Sequence, residues 1–150
     1  MNGVNKVVWQ LASHQFNAGT NVQVWGLTKT PEKQDFITPF PLQLFKENKF
    51  GVPEGLKEAV LSNNKADTVF HFHGGFILSF FFIAKLLVNL GYNYVLTPHG
   101  AYNTVAMQRS WLRKKIYFFL FERFLVTHAG FVQAVGKSEI DGLSNIESNV

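Results

Sequence analysis

Three histidines set beside glycines carry the chemistry in this chain. His71-Phe72-His73-Gly74-Gly75 and Thr97-Pro98-His99-Gly100 follow short apolar runs, Thr68 to Phe72 and Tyr94 to Thr97. Near neutral pH an imidazole donates or accepts hydrogen bonds and moves protons, and glycine beside it lets a ligand approach the backbone. Residues two apart on a strand face the same side, so His71 and His73 point together. Such a pair holds zinc once another His, Asp or Glu joins it. Asp67 is badly placed for that, and Glu139 or Asp141 arrives only through folding. The plainer reading packs His71 at the sheet and bonds His73 to loop backbone. His99 follows Pro98, which holds its predecessor extended, and precedes Gly100, which permits a sharp exit. It can therefore donate to a sugar hydroxyl or a phosphate oxygen, or tie down its own turn. His14 in a helix and His128 at a helix end receive no role.

The elements around these residues read as strand, helix, strand, with the helix over Phe76 to Leu90. In open parallel sheets, ligands sit beyond the carboxyl ends of the strands, where both His-Gly pairs lie. Upstream, Val4, Val7, Val8 and Leu11 recur at helical spacing and predict a helix to about Asn17, stopped by Gly19. Asn21 to Leu27 reads as a buried strand. Thr28 to Phe50 reads as loop with one short strand, Leu42 to Phe45, and Pro53 starts a short helix with Leu56 and Val60 on one face. After an irregular Ala101 to Gln108, the pattern predicts a long helix from Ser110 to His128. A strand from Phe131 to Val135, a short helix holding Glu139 and a frayed end follow.

This alternation predicts α/β architecture, with a Rossmann-like parallel sheet flanked by helices, as one domain over residues 1–150. A doubly wound sheet begins with its central strand, yet this chain begins with a helix. The expectation is a fragment lacking that first strand, which leaves either a gap beside Val22–Leu27 and Thr68–Phe72 or direct pairing of those two strands.

Apolar residues make up 47% of the chain and charged ones 16%, which excludes a disordered polar chain. The absence of cysteine excludes disulfides and thiolate metal sites and fits a reducing compartment. The net charge of +4 gathers at Arg109, Arg113, Lys114 and Lys115, without a nucleic-acid signature. That cluster reads as a solvated helix face, or as a contact for an anionic substrate or membrane surface. Phe76–Leu90 is broken by Ser79, Lys85 and Asn89 and is shorter than the roughly 20 residues a bilayer needs. No Gly-x-Gly-x-x-Gly, P-loop or Gly-x-Ser-x-Gly is present, against dehydrogenase, NTPase and α/β-hydrolase readings.

Gly3-Val4 with Val7-Val8 and Leu11-Ala12, then Asn21 to Trp25, then His71-Phe72-His73-Gly74, together resemble the amino-terminal domain of family-four glycosyltransferases. Thr97 to Ala101, Ala106-Met107, Lys114-Lys115, Phe121-Glu122-Arg123 and Glu139 in Gln133 to Glu139 resemble the branch that builds exopolysaccharides and O-antigens. The resemblance covers most of the chain and is weakest from Lys29 to Asn64. It implies a GT-B enzyme of two Rossmann-like domains that transfers sugar with retention from a nucleotide-sugar donor, usually without a metal or other cofactor. It further implies that Gly3 belongs to the loop approaching the donor diphosphate, that His73 lines the cleft and that His99 is the catalytic histidine at the donor sugar.

Gly74 and Gly100 join these as substrate-binding positions, and Arg109, Lys114 and Lys115 would meet a glycan or lipid-diphosphate-linked acceptor. The expected location is cytoplasmic, peripheral at the inner membrane face. The family's carboxyl-terminal domain, with its Glu-x₇-Glu motif, is expected to lie outside this fragment, leaving the isolated chain inactive. Two other readings remain: a truncated non-catalytic module that pairs with a transferase subunit, and a metal-dependent hydrolase using His71 and His73.

Overall fold

The computed structural model describes residues 3–33, 37–108 and 110–147. Helix α1 (Gly3–Asn17) leads through Gly19 into β1 (Val24–Thr28); β2 (Leu42–Lys46) and α2 (Leu56–Leu61) follow. Next come β3 (Val69–His73), α3 (Leu78–Leu90), β4 (Asn93–Thr97) and α4 (Thr104–Gln108). Helix α5 (Trp111–Tyr117) runs through a π-helical turn (Phe118–Glu122) into α6 (Arg123–His128), and β5 (Phe131–Val132) and α7 (Lys137–Glu147) complete the order.

All strand pairings among the described residues are parallel, and helices flank the strands. β4 is central, between β3 and β5. Its Tyr94 and Leu96 side chains are buried, as a strand paired on both edges requires. They pack with Phe72, with Ile83, Ala84 and Leu87 of α3, and with Phe118 and Leu125 of the long helix. Tyr94 brings its hydroxyl into this core because it donates to the Leu125 carbonyl at 2.8 Å. A phenol hydroxyl buried without such a partner would cost about 1–3 kcal/mol.

Two expectations need correction, and a third is decided between its alternatives. β1 pairs with β2 in a sheet separate from β3–β4–β5, so the strands leave the expected gap rather than pairing directly. A cavity of about 670 Å³ lies between Trp25 to Leu27 and Phe70 to His73, with Val4 and Val8 of α1 on its wall. Side chains bridge the sheets where backbone does not, the Trp25 ring meeting both Phe45 and Phe70 at 5.4 Å. The anticipated strand to Val135 has only two residues, because the Val135 amide turns away to the Glu139 carboxylate. The single helix over Ser110–His128 begins at Trp111 and carries the π turn, a local insertion that recurs at functional sites.

Helix α7 closes onto the loop after β4 at Gly142, whose missing side chain admits the Tyr102 carbonyl. A Cβ at Gly142 would overlap that oxygen. Alanine ordinarily favours a helix over glycine by about 1 kcal/mol, but overpacking costs about 1–3 kcal/mol, so the clash wins. Gly142→Ala should lower the urea midpoint, whereas Gly136→Ala, where a Cβ meets nothing within 4 Å, should leave it nearly unchanged. Equal midpoints for both variants would refute the packing.

Candidate functional site

The parallel register sets His73 of β3 opposite Thr97 of β4, so both strands end at one edge. The Gly74 amide continues the ladder by donating to the Thr97 carbonyl at 2.8 Å. His73 Nδ1 then lies 2.9 Å from His99 Nε2, one ring donating and the other accepting. The His71 and His73 rings stand 4.0 Å apart. Thr97 donates its hydroxyl to Gln133 Oε1 at 3.2 Å, so the 2.7 Å contact with His71 has His71 Nε2–H donating to Thr97. The three histidines thus form one imidazole cluster anchored on two strands.

Two turns in this cluster hold unfavourable backbone. His99 has φ 54° and Phe76 has φ 59°, both left-handed, which costs a non-glycine residue about 1–2 kcal/mol. Each turn is tied by a buried carboxylate from a later helix. Glu139, 1% exposed in the first turn of α7, accepts from the Gly100 amide at 2.7 Å, the Tyr102 amide at 3.5 Å and the Val135 amide at 3.1 Å. Glu122, in the π turn, accepts from the Tyr102 hydroxyl. Burial raises the Glu122 pKa, opposed by the Tyr102 hydrogen bond and by the Phe76 and Ile77 amides. The turns also touch: a Cβ at Gly75 would come within 2.8 Å of the Ala101 Cβ. Glycine is the residue that lets the loops meet.

Between the turns and the start of α1 is an open cavity of about 370 Å³. Val4 and Asn5 line one side, and His73, Gly74, His99 and Gly100 line the other. The first turn of a helix carries a partial positive charge from the aligned peptide dipoles. The cavity therefore pairs an anion-favouring helix end with imidazoles.

Of the residues expected from sequence, His73, Gly74, His99 and Gly100 come together here, and Gly3 is the first residue of α1, next to the wall. Lys114 does not line the cavity; its Nζ donates to the Ala106 carbonyl at 2.6 Å and lies 5.2 Å over the Phe76 ring. Lys115 sits along α5, also off the wall, and Arg109 lies outside the described residues. His14 and His128 are not part of the cavity lining. Rather than bonding loop backbone, His73 bonds His99. For the metal reading, no three His, Asp or Glu side chains converge as a metal site needs, among the described residues. Glu139 is engaged with amides, and Asp67 accepts from Asn64.

Sequence reasoning missed Thr97, Gln133, Tyr102 and the anchoring role of the two glutamates. For Glu122 a signal existed, since it is the only acid in the greasy run from Ile116 to Val126. An acid on the inward face of such a helix needs a partner. Thr97 and Gln133 gave none, because their roles depend on strand register.

Burial lowers the His73 pKa to about 4, aided by charge on His71 and His99. His71 is lowered by burial and then by His99. His99 is lowered by burial, with Glu139 pulling it back up. Each of these shifts favours the neutral imidazole.

A family model, Glycosyltransferase Family 4, matches residues 1–146. No curated protein and no solved structure matches the chain. Among the described residues, no helix is long and apolar enough to cross a membrane.

Two predictions come from the anchors. A His73 pKa depressed from 6.5 to about 4 means that the unfolded chain binds more protons between those values. Stability therefore falls as pH drops through 6.5 toward 4. His73→Asn should flatten that part of a pH–stability curve measured by thermal melting; an unchanged slope would refute the burial of a neutral His73. Glu139→Gln replaces a carboxylate acceptor of three amides with a group that presents its own N–H. The expected cost is about 1.5–3 kcal/mol, with faster hydrogen exchange at Gly100 and Val135. Parental exchange at both amides would show that Glu139 does not hold the turn.

Proposed function

Because the chain belongs to Glycosyltransferase Family 4, we propose that the cavity at the ends of β3 and β4 serves transfer of a sugar, with retention, from a nucleotide-sugar donor to a glycan or lipid-diphosphate-linked acceptor. The observation that carries this reading is the cavity wall, where His99 faces the first turn of α1 across a space of about 370 Å³. A diphosphate suits the helix end, whose N–H groups and dipole favour negative charge. A neutral imidazole suits the sugar, since it can accept from or donate to a hydroxyl.

In this reading, the bond from the anomeric carbon to the diphosphate oxygen breaks as the acceptor oxygen bonds to that carbon. The acceptor proton passes to the departing diphosphate. Negative charge grows on the leaving group, and donors already aimed at it stabilise the transition state more than the ground state. His99 orients the donor sugar and adds one such donor; His73 fixes the ring by the 2.9 Å bond. Gly74 and Gly100 keep the wall low enough for the donor to approach. Acceptor and nucleotide contacts beyond this wall belong to the rest of the cleft the family reading implies.

The test is transfer of labelled sugar by the active protein. His99→Ala should lower turnover by about ten- to a thousandfold, the range for removing one donor aimed at transition-state charge, with an unchanged circular dichroism spectrum. His14→Ala and His128→Ala should stay within a few-fold of the parent. Parental turnover for His99→Ala would overturn the assignment.

A further inference from the structure

The helix running from Trp111 to His128 has two contrasting faces. Its inner face is buried: Phe118, Glu122 and Leu125 enter the core, while Phe121 and Phe124 pack on Phe81 of α3. Its outer face leaves Trp111, Leu112, Ile116, Phe119 and Leu120 between 53% and 60% exposed. The spacing places these five on one side over three helical turns, Trp111 with Leu112, then Ile116, then Phe119 with Leu120. A contiguous exposed stripe of this size marks a contact surface, whereas isolated exposed apolar residues need no explanation.

The charges on the same face select the partner. Arg113 and Arg123 are exposed and Lys115 is half-buried within the stripe. The Arg123 guanidinium lies 5.7 Å over the Phe119 ring, its stem along the apolar surface. The one acid between Trp111 and His128 is Glu122, and it points into the core. The outer face is therefore apolar and cationic, with no anion. Two copies meeting face to face would bring these cations together, which disfavours a symmetric dimer. An anionic bilayer offers both complements at once, hydrocarbon for Trp, Phe, Leu and Ile and lipid phosphates for Arg and Lys.

We propose that the Trp111–Leu120 stripe with Arg113, Lys115 and Arg123 docks this protein on an anionic lipid surface, the helix lying in the interface. The helix is not a membrane span, and the docking is peripheral. Lys114 on the same helix touches Phe76 in the turn after β3, so docking would hold the cavity close to the bilayer surface. The proposal does not rest on the sugar chemistry, and failure of the transfer assay would leave it standing.

The experiment is sedimentation of the purified protein with phosphatidylglycerol–phosphatidylcholine vesicles and with phosphatidylcholine vesicles alone. Binding should require the anionic lipid, weaken with added salt and shift tryptophan emission to the blue. Arg113→Glu with Arg123→Glu should weaken binding by about tenfold or more, given about 1 kcal/mol for each basic residue at such a surface. Trp111→Ser with Phe119→Ser should weaken it comparably and remove the emission shift, the fold being checked by circular dichroism. Lys57→Glu, exposed on α2, should bind as the parent does. No binding to anionic vesicles, equal binding to neutral ones, or parental binding by both double variants would overturn the proposal. So would a stable dimer that Trp111→Ser with Phe119→Ser abolishes, because the stripe would then serve a second copy.

Discussion

The carboxylate of Glu139, buried in the first turn of α7, gathers the amides of Gly100, Tyr102 and Val135. Those amides come from the turn after β4 and the turn after β5, so one side chain sets the spacing of two loops. It also shortens β5, since the Val135 amide bonded to it cannot continue the strand. The left-handed His99 persists because the surrounding bonds over-determine it. Glu122 adds a second anchor from the π turn: it accepts from the hydroxyl of Tyr102, in the same turn after β4, and the Tyr102 ring packs on Phe76 in the turn after β3. The histidine pair depends on both, because its 2.9 Å bond joins His73 at the end of β3 to His99 in the turn after β4.

Buried carboxylates are an expensive way to hold a loop. Each loses hydration on folding and recovers it only through directed donors. Glu139 meets that condition with three amides. Glu122 meets it less fully, and burial raises its pKa accordingly. Apolar packing could join the loops, but it would not aim amide hydrogens or fix a left-handed residue. Polar anchoring costs stability and supplies direction, as a site that must hold an imidazole in place requires.

The sequence made the periodic parts legible. Val4 to Asn17, Phe76 to Leu90 and the two His-Gly strand ends are read from apolar spacing and glycines, and the structure places these elements within a residue or two. Parallel pairing followed from the alternation of strand and helix. The gap between β1–β2 and β3–β5 was one of the two arrangements expected. Two things were hidden, each for a physical reason. The π turn hides inside an apolar run that looks helical throughout. Thr97 and Gln133 became part of the histidine network through register alone. Arg113, Lys114 and Lys115 lie on one helix, but their direction was not legible: Lys114 turns to Ala106 and Phe76, away from the cavity wall.

The central claim is that the imidazoles of His73 and His99 meet the donor together. Long-range nitrogen–proton NMR of the histidine side chains, recorded while a nucleoside-diphosphate sugar is added to the protein, tests it directly. The account predicts saturable shifts at the hydrogen-bonded nitrogens of His73 and His99, coupled because they share one bond, with His14 and His128 unmoved. Saturation of the donor with His99 unshifted, or with shifts confined to His14 and His128, would contradict it.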